Sequence, residues 1–212
     1  MPRRTTDYRG LTDSSRVRVL ATVQEHPGVT LSQLASQTGL HTNTVWDHLK
    51  VLVAEGLVAS ASKPTGARGR PPKVYYPVDD PERNAVALDR VERARRNGDL
   101  LRRLYPTSTA STGARELSPE AVQQLDMVYE HLDDTGLDPV VDEANLAATL
   151  VPCPYHRIVA EDQQLACSVH ARLLQDILAQ VPGPLELDEL QPFVTPRTCL
   201  VRLRDTRGTD AD

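Results

Sequence analysis

The stretch LSQLASQTGLHTNTVWDHLKVLVAEGLV, residues 31–58, holds two apolar rows of helical period separated by a single glycine. Leu31, Leu34 and Ala35 share one side of the first. Thr30 precedes it and Gln33 stands three residues on, a capping-box pattern. Gly39 stops that helix at about Thr38, as a glycine one position past a helix end does. The second helix runs about Thr42–Glu55, with Val45, Leu49 and Leu52 as its buried stripe, and Gly56 ends it.

Upstream, Val17, Leu20 and Val23 predict a helix over Ser14–Glu25, closed by Pro27-Gly28. Downstream the period changes. Leu57–Ser62 reads as a strand, Lys63–Lys73 (KPTGARGRPPK) as a basic loop, and Val74-Tyr75-Tyr76 as the returning strand. Three helices and a basic hairpin make a winged helix-turn-helix. Residues 31–58 resemble the helix-turn-helix of the ArsR/MarR-like bacterial regulators, which implies binding to double-stranded DNA.

A major groove admits one helix. With Val45, Leu49 and Leu52 inward, the third helix presents Asn43, Asp47 and Lys50, flanked by Thr42, Thr44 and Trp46. Asn43 suits adenine, Asp47 suits the cytosine amino group, and Thr42 and Thr44 suit phosphates. Similar proteins often carry a basic residue where Trp46 stands. Trp46 lacks arginine's forked pairing with guanine, so it is expected to pack on the DNA backbone or a partner helix. His48 lies toward the inner edge and is expected to be structural. Arg68-Gly69-Arg70-Pro71 resembles an AT-hook suited to a narrow minor groove. The competing reading is a flexible loop touching phosphates, Arg68, Arg70 and Lys73 included.

Charge divides the chain in the same place. Residues 1–78 carry ten Lys and Arg against five Asp and Glu, and all three lysines; residues 79–212 carry fourteen against twenty-four. The basic part is the candidate polyanion binder. No apolar run reaches the ~18 residues of a membrane span, and the first residues lack a signal-peptide core. The expectation is a soluble, cytoplasmic protein with no membrane partner. Three cysteines, an odd number, argue against a disulfide framework.

Asp79-Asp80-Pro81 opens a predicted helix over Glu82–Tyr105. Ala87, Val91, Ala94, Gly98, Leu101 and Tyr105 recur at heptad-like spacing, which suits either a dimer seam or packing on the chain's own domain. Thr107–Ala114 has linker composition. The expected organisation is a DNA-binding domain over 1–80, a connecting and dimerisation helix with linker over 81–117, and a sensor domain over 118–212. The fold class is α+β. In the last part Ser118-Pro119-Glu120 starts a helix to about Leu132. Strands follow near Pro139–Asp142 and Asn145–Val151, then two helices, then strands near Leu185–Leu190 and Cys199–Arg204.

The two helices hold CPYHRIVAEDQQLACSVH, residues 153–170, in which Cys-x-x-His occurs twice. Cys153 precedes a helix opened by Pro154, and Cys167 is expected to open another over Ser168–Leu178. A helix start biases a thiol toward thiolate, the metal-binding form. His170 falls on the apolar side of that second helix; His156 projects inward less clearly. Four readings stand at this point: an iron–sulfur cluster on three thiolates, a Cys₃His zinc site, a Cys167–His170 nucleophile pair of a thiol enzyme, and buried structural cysteines.

Residues 153–174 and LQPFVTPRTCLVRL, residues 190–203, resemble the C-terminal half of the SufR-like iron–sulfur repressors. That resemblance implies Cys153, Cys167 and Cys199 as ligands of a cluster, [4Fe-4S] by expectation, with His170 favoured as the fourth. It implies a homodimeric redox-sensing repressor rather than an enzyme. Loss of the cluster would loosen the loops around the three cysteines and change the dimer's fit to two half-sites. The alternatives are a zinc-stabilised repressor and a cysteine-dependent thiol enzyme.

Overall fold

In a computed structural model, residues 10–63, 71–104, 117–151, 156–196 and 198–208 are described. They form two compact units. One takes the described residues of 7–88 and 155–173; the other takes those of 89–154 and 174–212. The fold is α+β, with a winged helix-turn-helix at its N-terminal end.

The first unit begins with α1 (Ser14–Glu25), capped by Asp13, whose carboxylate accepts from the Arg16 N–H at 2.9 Å. A two-residue strand β1 (Val29–Thr30) leads into α2 (Leu31–Thr38). The capping box is present: the Gln33 N–H donates to the Thr30 hydroxyl and the Thr30 N–H to the Gln33 side chain. Gly39 closes α2 at φ 70°, a left-handed conformation that costs glycine little. α3 (Thr42–Ala54) follows, then β2 (Val58–Ser62) and β3 (Lys73–Pro77) as the wing hairpin. Leu20, Leu34, Val45, Leu49 and Leu52 are fully buried and form the core. β1 was not legible in the sequence. It pairs antiparallel with β3, Val29 opposite Tyr75, and makes the sheet three-stranded in the order β1-β3-β2.

Asn84 closes this unit. The predicted helix from Glu82 is divided here into a 3-10 turn, Pro81–Arg83, and α4 (Ala85–Leu104). Asn84 stands between them with extended backbone. Its buried amide donates to the carbonyls of Val53 (2.9 Å) and Val58 (3.1 Å). Its amide oxygen accepts from the Val86 N–H at 2.9 Å, capping α4. Val58 and Pro77 form a non-hydrogen-bonded pair of the hairpin, so the Val58 carbonyl points away from β3 and the Asn84 amide satisfies it.

In the second unit α5 (Pro119–Asp134) is capped by Ser118, with Pro119 at its first position. β4 (Asp138–Asp142), β5 (Ala147–Val151), β6 (Leu185–Thr195) and β7 (Thr198–Asp205) form an antiparallel sheet in the order β4-β5-β7-β6. α6 (His156–Glu161) and α7 (Gln163–Ala179) lie between β5 and β6 in sequence. Met127, Ile177 and Val181 pack with Ala94 of α4, and Val91 lies against them. Gln124 ties three elements: its amide donates to the Leu178 and Leu185 carbonyls and accepts from the Leu185 N–H.

The heptad-like positions of α4 are mostly used within the chain. Ala87 packs with Ala59 and Val78, and Ala94 with the cluster just named. α4 runs unbroken through Asn97-Gly98. A Cβ at position 98 would stand 2.1 Å from a carboxylate oxygen of Asp126, so glycine leaves room for that side chain against α4. Charged pairs fix the register of the same two helices. Arg93 reaches Glu130 (2.7 Å) and Asp134, Arg90 reaches Asp134 (3.3 Å), and Asn97 donates to Glu130 (2.9 Å). Leu101 is exposed, with Leu100 and Leu104 beside it. Tyr105 and the linker composition of Thr107–Ala114 lie outside the described residues.

Asn84→Ala removes two donors and an acceptor from buried backbone groups. It should destabilise the protein by about 2–4 kcal/mol, since each abandoned buried group costs ~1–3 kcal/mol. Asn84→Asp keeps the helix cap but turns an acceptor-only carboxylate on the Val53 and Val58 carbonyls, and should lose at least as much. Urea denaturation of the three proteins measures both values; an alanine variant within about 0.5 kcal/mol of the wild type, the range of ordinary surface substitutions, would show that Asn84 does not hold the unit together.

Candidate nucleic-acid interface

α3 buries Val45, His48, Leu49 and Leu52, and this fixes its outer face. Thr42, Asn43, Thr44, Trp46, Asp47 and Lys50 are all exposed. Asn43, Trp46, Asp47 and Lys50 follow i, i+3, i+4, i+7 and therefore form one row. The helix starts at His41, whose Nδ1 accepts from the Asn43 N–H at 3.2 Å. Histidine is not among the usual cap residues, so this cap had no clear sequence signal.

Lys50 Nζ lies 2.6 Å from Asp47 Oδ1. Both side chains are well exposed, so the pair contributes little stability. Its effect is on the surface: the one lysine of the recognition row has its charge balanced on the helix. Net positive charge for phosphates has to come from elsewhere in the domain, and Lys63 and Lys73 at the base of the wing are exposed. The Lys63 N–H donates to the Pro72 carbonyl at 2.9 Å and closes that base. Arg68 and Arg70 lie outside the described residues.

His48 is buried, as its inner-edge position implies. Burial lowers its pKa, partly offset by Asp13, whose carboxylate is 3.8 Å from Nε2. It packs behind the recognition row and takes no part in it. Trp46 differs: 41% of it is exposed, although it is the largest apolar side chain of the domain. It lines a cleft between α2, α3 and the wing together with Leu31, Thr42, Pro71, Pro72 and Tyr75. Sequence reading had assigned Pro71 and Pro72 to the loop alone.

The cysteine-bearing residues are placed differently from expectation. α7 begins at Gln163, not at Ser168, so Cys167 sits in its second turn. The reason is Asp162, whose carboxylate accepts from the Leu165 N–H at 2.9 Å and starts the helix. The Ser168 hydroxyl donates back to the Leu165 carbonyl, as a serine inside a helix does. The helix-start bias toward thiolate is therefore lost at Cys167, because the field falls off within the first turn. Cys167 is half-buried and Cys199 is buried; neither forms a disulfide. Cys199 stands on β7 opposite Leu150, on the face that carries Val201 and Leu203 into the core. Cys153 and the side chain of His156 lie outside the described residues.

His170 is buried on α7, and desolvation pushes its pKa down to about 4. Its imidazole is neutral at pH 7, the form able to ligate a metal and equally the form that suits a core. Three thiols with an imidazole have the donor chemistry of an iron–sulfur or zinc site. Among the described residues no three His, Cys, Asp or Glu side chains come together as a metal site. Cys167 and His170 belong to the first compact unit and Cys199 to the second. No helix among the described residues is long and apolar enough to cross a membrane.

Comparison with known proteins gives one result that coincides with this geometry. Searches of curated proteins and of solved structures found no match. The family described as winged helix-turn-helix DNA-binding matches residues 12–59, from the cap of α1 into β2, so the chain carries a winged helix-turn-helix DNA-binding domain.

Proposed function

We propose that this protein is a transcriptional regulator, a repressor that binds double-stranded operator DNA as a homodimer. The observation that carries it is the exposed row Asn43, Trp46, Asp47, Lys50 on the third helix of a winged helix-turn-helix. Such a domain fits a regulator rather than an enzyme. Support for the dimer is the exposed group Leu100, Leu101 and Leu104 at the end of α4, where the apolar spacing continues past its last partner within the chain. A dimer would read two half-sites one helical turn, or a multiple, apart.

The finer reading is control of operator binding by an iron–sulfur cluster, with Cys153, Cys167 and Cys199 as thiolate ligands and His170 as the fourth. Its support is the resemblance of residues 153–174 and 190–203 to the SufR-like repressors. When bound, such a cluster would supply redox sensitivity. This chain's part would be to hold it and to link its loss to operator affinity.

Selection from a randomised duplex pool with the full-length protein should enrich a near-palindromic sequence. Asn43→Ala should then relax choice at one position per half-site, costing ~1–3 kcal/mol of discrimination if the contact is bidentate. Replacing Arg68, Arg70 and Lys73 with alanine should flatten the salt dependence, since each phosphate neutralised contributes ~0.9 to the log–log slope. A pool that enriches nothing would overturn the regulator reading.

Anaerobic purification tests the cluster separately. The expected protein is brown, with iron and acid-labile sulfide, and Cys199→Ser should lose both. A colourless protein containing zinc would favour the zinc-stabilised repressor, and one holding no metal would remove the cofactor altogether. Leu101→Glu and Leu104→Glu together should yield monomers in sedimentation; an unchanged dimer would place the contact elsewhere.

A further inference from the structure

We propose that Trp46 is a specificity-determining residue that reads the 5-methyl group of a thymine in the major groove. The inference rests on the DNA-binding reading above and deepens it. Trp46 shares one helical row with Asn43, Asp47 and Lys50, so any pose that brings those residues to base edges brings the indole too. It is 41% exposed, and the cleft between it and Pro71, Pro72 and Leu31 leaves part of the ring without protein against it. An apolar surface carried into the groove gains only by covering another apolar surface.

Base edges there are hydrogen-bond donors and acceptors, with one apolar exception, the thymine methyl. Placing an indole on a polar edge would strip water from groups it cannot satisfy. The charge pattern agrees: with Lys50 balanced by Asp47, the row offers no unbalanced cation with which to seek guanine. Asn43 and Trp46 are three residues apart, roughly 4.5 Å along the helix. The thymine should therefore lie one or two base pairs, at roughly 3.4 Å each, from the adenine that Asn43 pairs.

The test uses the sequence enriched by the full-length protein and replaces each thymine in turn with deoxyuridine, which removes the methyl alone. The wild-type protein should lose about four-fold in affinity at one thymine per half-site, the loss expected for one methyl group at ~0.8 kcal/mol. Trp46→Ala should bind more weakly and be indifferent to that methyl, whereas Trp46→Phe should keep the preference. A wild-type protein insensitive to deoxyuridine at every position overturns the inference, whatever becomes of the variants. So does a Trp46→Ala protein that weakens equally on selected and scrambled duplexes while keeping methyl sensitivity, which would assign the indole to the backbone. In either case the enriched sequence remains, and the regulator reading with it. A pool that enriches nothing overturns both.

Discussion

The burial of Val45, Leu49 and Leu52 along one side of α3 is the constraint on which the DNA-binding half depends. Three large side chains without exposed surface leave the helix no freedom to rotate about its axis, because a turn of one residue would expose them. Losing such burial costs roughly 1.5–3 kcal/mol for each side chain. The outer row is therefore set by the inner one. Asn43, Trp46, Asp47 and Lys50 are what remains when the core has taken its share. The Asn84 side chain, bonded to Val53 and Val58 and to the start of α4, then fixes where α3 ends and where the next helix begins.

Elements announced by local chemistry were legible in the sequence. Thr30 with Gln33, Gly39, and Ser118 with Pro119 each mark a helix end through their own backbone and side-chain bonding. The three core helices and both wing strands follow from period alone. What stayed hidden depends on partners distant in sequence. β1 exists because Val29 and Thr30 find β3 some forty-five residues on, and two residues carry no period. Gly98 shows its use only when the Asp126 side chain is set against it. The start of α7 was misread because Cys167-Ser168 resembles a cap, while Asp162, five residues earlier, holds the N–H. The row of α3 was legible residue by residue, but the cleft beside Trp46 needed Pro71, Pro72 and Leu31 to meet in space.

Charge in the recognition region is arranged for discrimination more than for attraction. An Asp facing DNA repels phosphate, and a Lys three residues on offsets it without bringing a surplus. Affinity then has to be carried by the rest of the basic part and by the wing, which bears three of its cations between Arg68 and Lys73. Separating the two tasks has a physical consequence. On the proposed reading, phosphate contacts from the wing would carry the salt dependence and base contacts from the α3 row the choice of sequence.

The cysteines follow a different logic. Cys199 occupies a core position opposite Leu150, where a thiol behaves as a small hydrophobe. Cys167, inside α7, has no helix start to lower its pKa. A metal or cluster bound there would deprotonate the thiols that coordinate it. Proton release on binding then makes affinity rise with pH. Without a cofactor the same residues are a half-buried thiol on α7 and a buried one on β7.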